Sequence, residues 1–73
     1  MTEVDAIGLL CPLPVLRARK VLAGMAPGTL LRLLADDPMA AVDIPHFCAE
    51  AGHHLLSMQD VGQGQAFLIR RGS

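Results

Sequence analysis

The chain has 73 residues, of which 52% are hydrophobic and 18% charged, and its formal net charge is −1. That composition is too apolar and too weakly charged for disorder, and a chain this short buries only about 60% of the surface it exposes when unfolded, so residues 1–73 are expected to form one domain without an enclosed substrate cavity. Near-neutral charge, the absence of Trp and Tyr, and only Phe47 and Phe67 as aromatic platforms argue against direct binding of nucleic acid.

Taken in chain order, residues 3–7 alternate loosely and stop at Gly8, the pattern of a short strand followed by a turn that needs a permissive backbone. From Pro12 to Met25 the spacing is helical, with Val15, Ala18, Val21, Leu22 and Met25 on one arc at about 100° per residue and Arg17, Lys20 and Gly24 opposite. Pro12 suits the first helical position and Pro14 the first turn, where missing N–H groups cost nothing. Pro27-Gly28 marks a turn, and Thr29–Ala35 reads as an apolar strand. Ile44, Phe47, Cys48 and Ala51 then recur with helical spacing up to Gly52. Two starts are open for this second helix: Asp43 as N-cap with Pro45 in the first turn, or a start near Met39 with a kink at Pro45. His54–Val61 and Gln65–Arg71 flank Gly62-Gln63-Gly64 as a hairpin. The order β-α-β-α-β-β implies an α/β two-layer sandwich, a mixed four-stranded sheet with two helices on one face and Leu30, Arg32 and Leu34 on the other.

The apolar stretches end well short of the ~20 residues of a membrane helix. Met1–Asp5 lacks a basic region leading into an apolar core, so no secretory signal is read. The expectation is a cytoplasmic monomer whose cysteines, Cys11 and Cys48, stay reduced.

Cys11 stands between Gly8 and a Pro-x-Pro helix start, as N-cap or the residue beside it. There, unpaired N–H groups and the helix dipole favour thiolate over thiol, while Pro12 and Pro14 hold the sulfur at the surface. A small buried cysteine is the commoner state, but a cap position faces solvent, so a reactive, partner-accessible nucleophile is the better reading of Cys11.

The pattern Asp5-x-x-Gly8-x-x-Cys11-Pro12-x-Pro14 resembles the signature of the TusA family of sulfur carriers, and TusA proper more than its paralogues. The similarity runs on through Arg19-Lys20, Met25-Ala26-Pro27-Gly28, Ala35-Asp36-Asp37-Pro38, Asp43-Ile44-Pro45, Phe47-Cys48 and Leu68-Ile69-Arg70-Arg71-Gly72, over nearly the whole chain. The lead before Glu3 is shorter than is usual in TusA proper. The resemblance implies a β-α-β-α-β-β sandwich and a sulfurtransferase without a cofactor. Its motif cysteine, here Cys11, takes sulfur as a persulfide from a cysteine desulfurase or another donor. A downstream relay protein then receives it, toward tRNA wobble-uridine thiolation, molybdenum-cofactor synthesis or sulfur oxidation. In that motif Gly8 meets a backbone requirement and Asp5 is a hydrogen-bond partner for the loop.

Leu13 and Leu16 fall on the polar arc with Arg17 and Lys20. Single exposed leucines are ordinary, and the alternative is a partner-docking surface beside Cys11. Cys48, on the apolar stripe of the second helix, reads as an inert core thiol. His46, His53 and His54 with Cys48 lack paired metal-ligand spacing, so no metal is expected and the histidines read as solvated or on strand surfaces. Asp36 and Asp37, weighed as metal or general-base carboxylates, fit better as helix caps. A thiol redox protein is a rival function but needs a resolving cysteine near Cys11, and Pro12, Leu13 and Pro14 occupy those positions. An RNA-binding or purely interacting domain is the other rival.

Overall fold

A computed structural model describes residues Met1–Ser73. The elements are β1 (Thr2–Asp5), α1 (Leu13–Ala23), β2 (Leu30–Ala35), α2 (Ala40–Ala51), β3 (His54–Asp60) and β4 (Gln65–Arg70). The strands form one sheet in the order β1-β2-β4-β3, with β1 parallel to β2 and β4 antiparallel to both of its neighbours. This is the mixed four-stranded sheet expected, with β4 inserted between the two strands that α2 connects.

Alternation in β2 sends Leu31, Leu33 and Ala35 into the core and leaves Leu30, Arg32 and Leu34 half-exposed on the other face. Opposite them, Leu31 faces Ile69 and Leu33 faces Phe67 across the ladder. Ala18 and Leu22 of α1 and Ile44, Phe47 and Cys48 of α2 join those residues and Val4 in one buried cluster, so both helices cover the same face of the sheet. The open face carries an ion pair between Arg32 and Glu3 at 3.1 Å. Along the edge strand β3 the register shifts between Leu55 and Ser57, a bulge of the kind that bends a free edge.

Element ends differ from the sequence expectation for local reasons. Strand β1 closes at Asp5, two residues before Ile7, because the N–H groups of Ile7 and Gly8 are taken by carboxylates of Asp5 and Asp36 at 2.9 Å each. Helix α1 begins at Leu13 with Pro12 as its N-cap, and it tightens at its end, where Gly24 and Met25 donate to carbonyls three residues back. The Asp43 start for α2 is overturned. The helix starts at Ala40 and runs through Pro45 to Ala51 with Met39 as its N-cap and no side-chain cap, so the expectation that Asp36 and Asp37 cap it is corrected too: Asp37 Oδ1 accepts from the Met39 N–H at 3.0 Å, just ahead of the helix. Asp43 therefore lies inside the first turn of α2 with its carboxylate available for another contact.

The C-terminal residues lock the helical layer to the sheet. Arg71 donates from Nε to the Leu22 carbonyl at the end of α1, and the Gly72 N–H donates to His53 Nδ1 at 3.0 Å. A Cβ at Gly72 would collide with the Gly52 carbonyl oxygen, so this approach requires glycine. His53 is thus half-buried and hydrogen-bonded, with its ring tilted on Phe47 at 5.6 Å, and is not one of the solvated histidines.

Candidate functional site around Cys11

The loop between β1 and α1 is held by three carboxylates from two places in the chain. Gly8 turns with φ of 84°, a left-handed value that favours glycine. Asp5 Oδ1 accepts from the Ile7 N–H, Asp36 Oδ1 from the Gly8 N–H, and Asp37 Oδ2 from the Cys11 N–H at 2.7 Å. Charge-assisted bonds of this kind are shorter and stronger than neutral ones. Asp36 and Asp37 therefore serve as loop anchors and not as helix caps, because they tie the Cys11 loop to the end of β2.

Cys11 is exposed and precedes Pro12 through a cis peptide bond. Pro12 is exposed beside it, whereas Pro14 is buried and anchors the first turn of α1 to the protein below. The thiol of Cys11 donates to Asp43 Oδ2 at 2.8 Å, which joins the starts of the two helices through a single side-chain contact.

That contact reverses the electrostatic expectation. A helix N-terminus favours thiolate, but here the Cys11 thiol is held above its ordinary pKa. The hydrogen bond to Asp43 is the largest cause, followed by partial desolvation and by the negative charges of Asp43 and Asp37. Ionising the sulfur would put three negative charges together and forfeit the hydrogen bond. The surroundings of the sulfur therefore favour thiol over thiolate.

An open cleft of about 290 Å³ lies beside Cys11 between the helices, lined by Pro12, Val15 and Arg19 of the α1 side and Asp43, His46 and Glu50 of α2, with Phe47 at its base. The cleft is open and not enclosed, as a chain this short leads one to expect. His46 Nε2 sits 2.6 Å from Glu50 Oε1 across one turn of α2. On the other side of α1, Leu13 and Leu16 are 48% and 47% exposed and share a shallow depression with Leu9, Arg17 and Lys20. Those four residues of α1 do lie together, and neither Arg17 nor Lys20 belongs to an ion pair.

Cys48 is 2% exposed in the core, with burial alone raising its thiol pKa. No three His, Cys, Asp or Glu side chains converge on a metal-binding arrangement, and no helix is long and apolar enough to cross a membrane. Asp43, Arg19, His46 and Glu50 are the site residues that sequence reasoning did not single out. The signals for Asp43 were the alternative start of α2, which frees its side chain from capping, and its place in the Asp43-Ile44-Pro45 stretch of the family resemblance.

The family model described as sulfurtransferase TusA matches residues 2–71. The crystal structure of the SirA-like protein from Desulfitobacterium hafniense superposes with a TM-score of 0.84 at 27% identity, covering 100% of both chains. The two-layer arrangement and the strand order are therefore shared along the entire length.

Proposed function

The chain belongs to the sulfurtransferase TusA family, whose members carry sulfur, and on that premise we propose that Cys11 is the residue that bears it. Cys11 takes the outer sulfur of a persulfide from a cysteine desulfurase or another donor and becomes Cys11-S-SH. A cysteine of a downstream relay protein then removes that sulfur, toward tRNA 2-thiouridine synthesis or another sulfur-trafficking route. The single observation that supports this most is the exposed Cys11 sulfur at the start of α1, on a loop held by three carboxylates. An enclosed sulfur would have no access to a partner's cysteine.

Leu13, Leu16, Arg17 and Lys20 are the surface we assign to those partners, because they group exposed leucines with unpaired cations on the helix that Cys11 precedes. Asp5, Gly8, Pro12 and Pro14 support the loop. The redox alternative lacks a resolving thiol, since Cys48 is buried in the core. We read the carrier as a cytoplasmic monomer, a setting in which thiols stay reduced.

The test incubates the protein with a cysteine desulfurase and free cysteine and follows its mass. One added sulfur atom that is absent from Cys11→Ser supports the reading. No added sulfur on the wild-type chain, or equal sulfur on the Ser variant, would overturn it.

A further inference from the structure

We propose that Asp43 is the proton acceptor for Cys11 when sulfur is loaded, a role that rests on Cys11 being the sulfur-bearing residue. Four carboxylates surround the loop, and hydrogen bonding distinguishes them. Asp5 and Asp36 are bound to the backbone N–H groups of Ile7 and Gly8. Asp37 spends one oxygen on the Cys11 N–H and the other on the Met39 N–H. Only Asp43 meets the sulfur, with Oδ2 2.8 Å from Sγ, within the distance at which a proton passes directly. His46, the residue type most used as a base, is turned to Glu50.

The chemistry follows from the relative basicities. A carboxylate is a far weaker base than a thiolate, so at rest the proton stays on Sγ. As Sγ attacks the outer sulfur of a donor persulfide, electron density leaves Sγ and its proton becomes acidic. The new Sγ–S bond forms, the donor's S–S bond breaks, the donor sulfur departs as thiolate with the bonding pair, and the Sγ proton moves to Asp43. On unloading, an acceptor thiolate attacks the outer sulfur of Cys11-S-SH and Sγ leaves as thiolate. It regains a proton through Asp43, which exchanges with solvent between the two steps. No oxidant or reductant is consumed, because the sulfane sulfur carries its oxidation state with it. The arrangement lets one residue keep the empty carrier in the unreactive thiol form and still assist the attack.

The test uses glutathione persulfide as donor and compares loading of Asp43→Asn with wild type across pH 6.5–9. Arg19 from α1 and His46 and Glu50 on α2 line the same cleft, and the charge of Asp37 acts on Cys11 as well; all are present in both proteins, as is the donor, so the comparison is read as the ratio of the two rates. At pH 6.5 the variant is expected to load at least about tenfold more slowly, because its larger thiolate fraction offsets part of the roughly 100-fold that a positioned base contributes at the low end. Its rate then gains on wild type as pH rises, while its thiolate absorbance appears at lower pH than in wild type. Those two changes have opposite signs, which a damaged fold does not produce. Asp43→Glu, which keeps a carboxylate, is expected to recover most of the rate. A variant that loads as fast as wild type or faster at pH 6.5, the result of raising thiolate population alone, would overturn the role, as would a Glu variant no faster than the Asn one. Failure of wild type itself to gain sulfur on Cys11 would remove the carrier reading and this role together, and is told apart by the wild-type arm alone.

Discussion

Asp37 and Cys11, 26 positions apart, are joined by a 2.7 Å hydrogen bond from the Cys11 N–H to Asp37 Oδ2, while Oδ1 of the same carboxylate accepts from the Met39 N–H at 3.0 Å. One side chain thus fixes both the loop that presents the sulfur and the start of the helix that presents Asp43. Replacing it with Asn leaves one acceptor oxygen for two donors. We expect Asp37→Asn to lower stability by about 1–3 kcal/mol, read from urea denaturation midpoints at neutral pH. A change within error would mean that solvent replaces these bonds without loss.

The two thiols are expected to separate cleanly. Iodoacetamide should place one adduct on the native chain, at Cys11, and a second on Cys48 only in denaturant, because Cys48 is closed in the core. The Cys11 rate follows the thiolate fraction, so it should climb about tenfold per pH unit through pH 8 and continue past the ordinary thiol value of about 8.5. A plateau near pH 7 would contradict the raised pKa that Asp43 imposes.

His53 gives a pH dependence of stability on the acid side. Its pKa is lowered, first by desolvation and then by the charges of Arg71 and His54. As pH falls below about 6.5 the unfolded chain therefore binds a proton that the folded chain resists. The contribution of His53 is complete above that pH and is lost as pH falls through the lowered folded value. Asn places an acceptor near the position of Nδ1, so His53→Asn should keep the bond from the Gly72 N–H and remove this acid-side loss. Denaturation curves at pH 7.5 and pH 5 test it, and an unchanged pH dependence in the variant would assign the loss elsewhere.

Changing Leu13 and Leu16 together to Ser should cost each site no more than about 0.5 kcal/mol, since exposed positions away from special features tolerate substitution. The same change should slow sulfur exchange with protein partners. Leu22→Ala, at the buried stripe of the same helix, should instead cost about 2–5 kcal/mol through lost contacts and a cavity. An unaltered exchange rate in the double Ser variant would remove these leucines from the docking surface.

Much of the architecture was legible in the chain because each element satisfies its own period. The stripe of Ala18 and Leu22 does go inward, Leu31 and Leu33 alternate with half-exposed neighbours, and the β-α-β-α-β-β order follows from the turn residues between them. What misled was competition at the ends. Ile7 reads as strand until the carboxylates of Asp5 and Asp36 take the backbone donors, and Asp43 reads as a cap although α2 already begins at Ala40, behind Met39.

Local spacing on one helix is enough to set Cys11 exposed at its start and to group Leu13, Leu16, Arg17 and Lys20 on one arc of it, around a depression that Cys11 does not line. Only the tertiary structure decided the protonation of that sulfur. A helix start taken alone favours thiolate, but packing α2 beside α1 brings Asp43 to 2.8 Å of the sulfur, and its hydrogen bond, with desolvation and the charges of Asp43 and Asp37, raises the thiol pKa. A pKa depends on distances through space, and those exist only once the chain has folded.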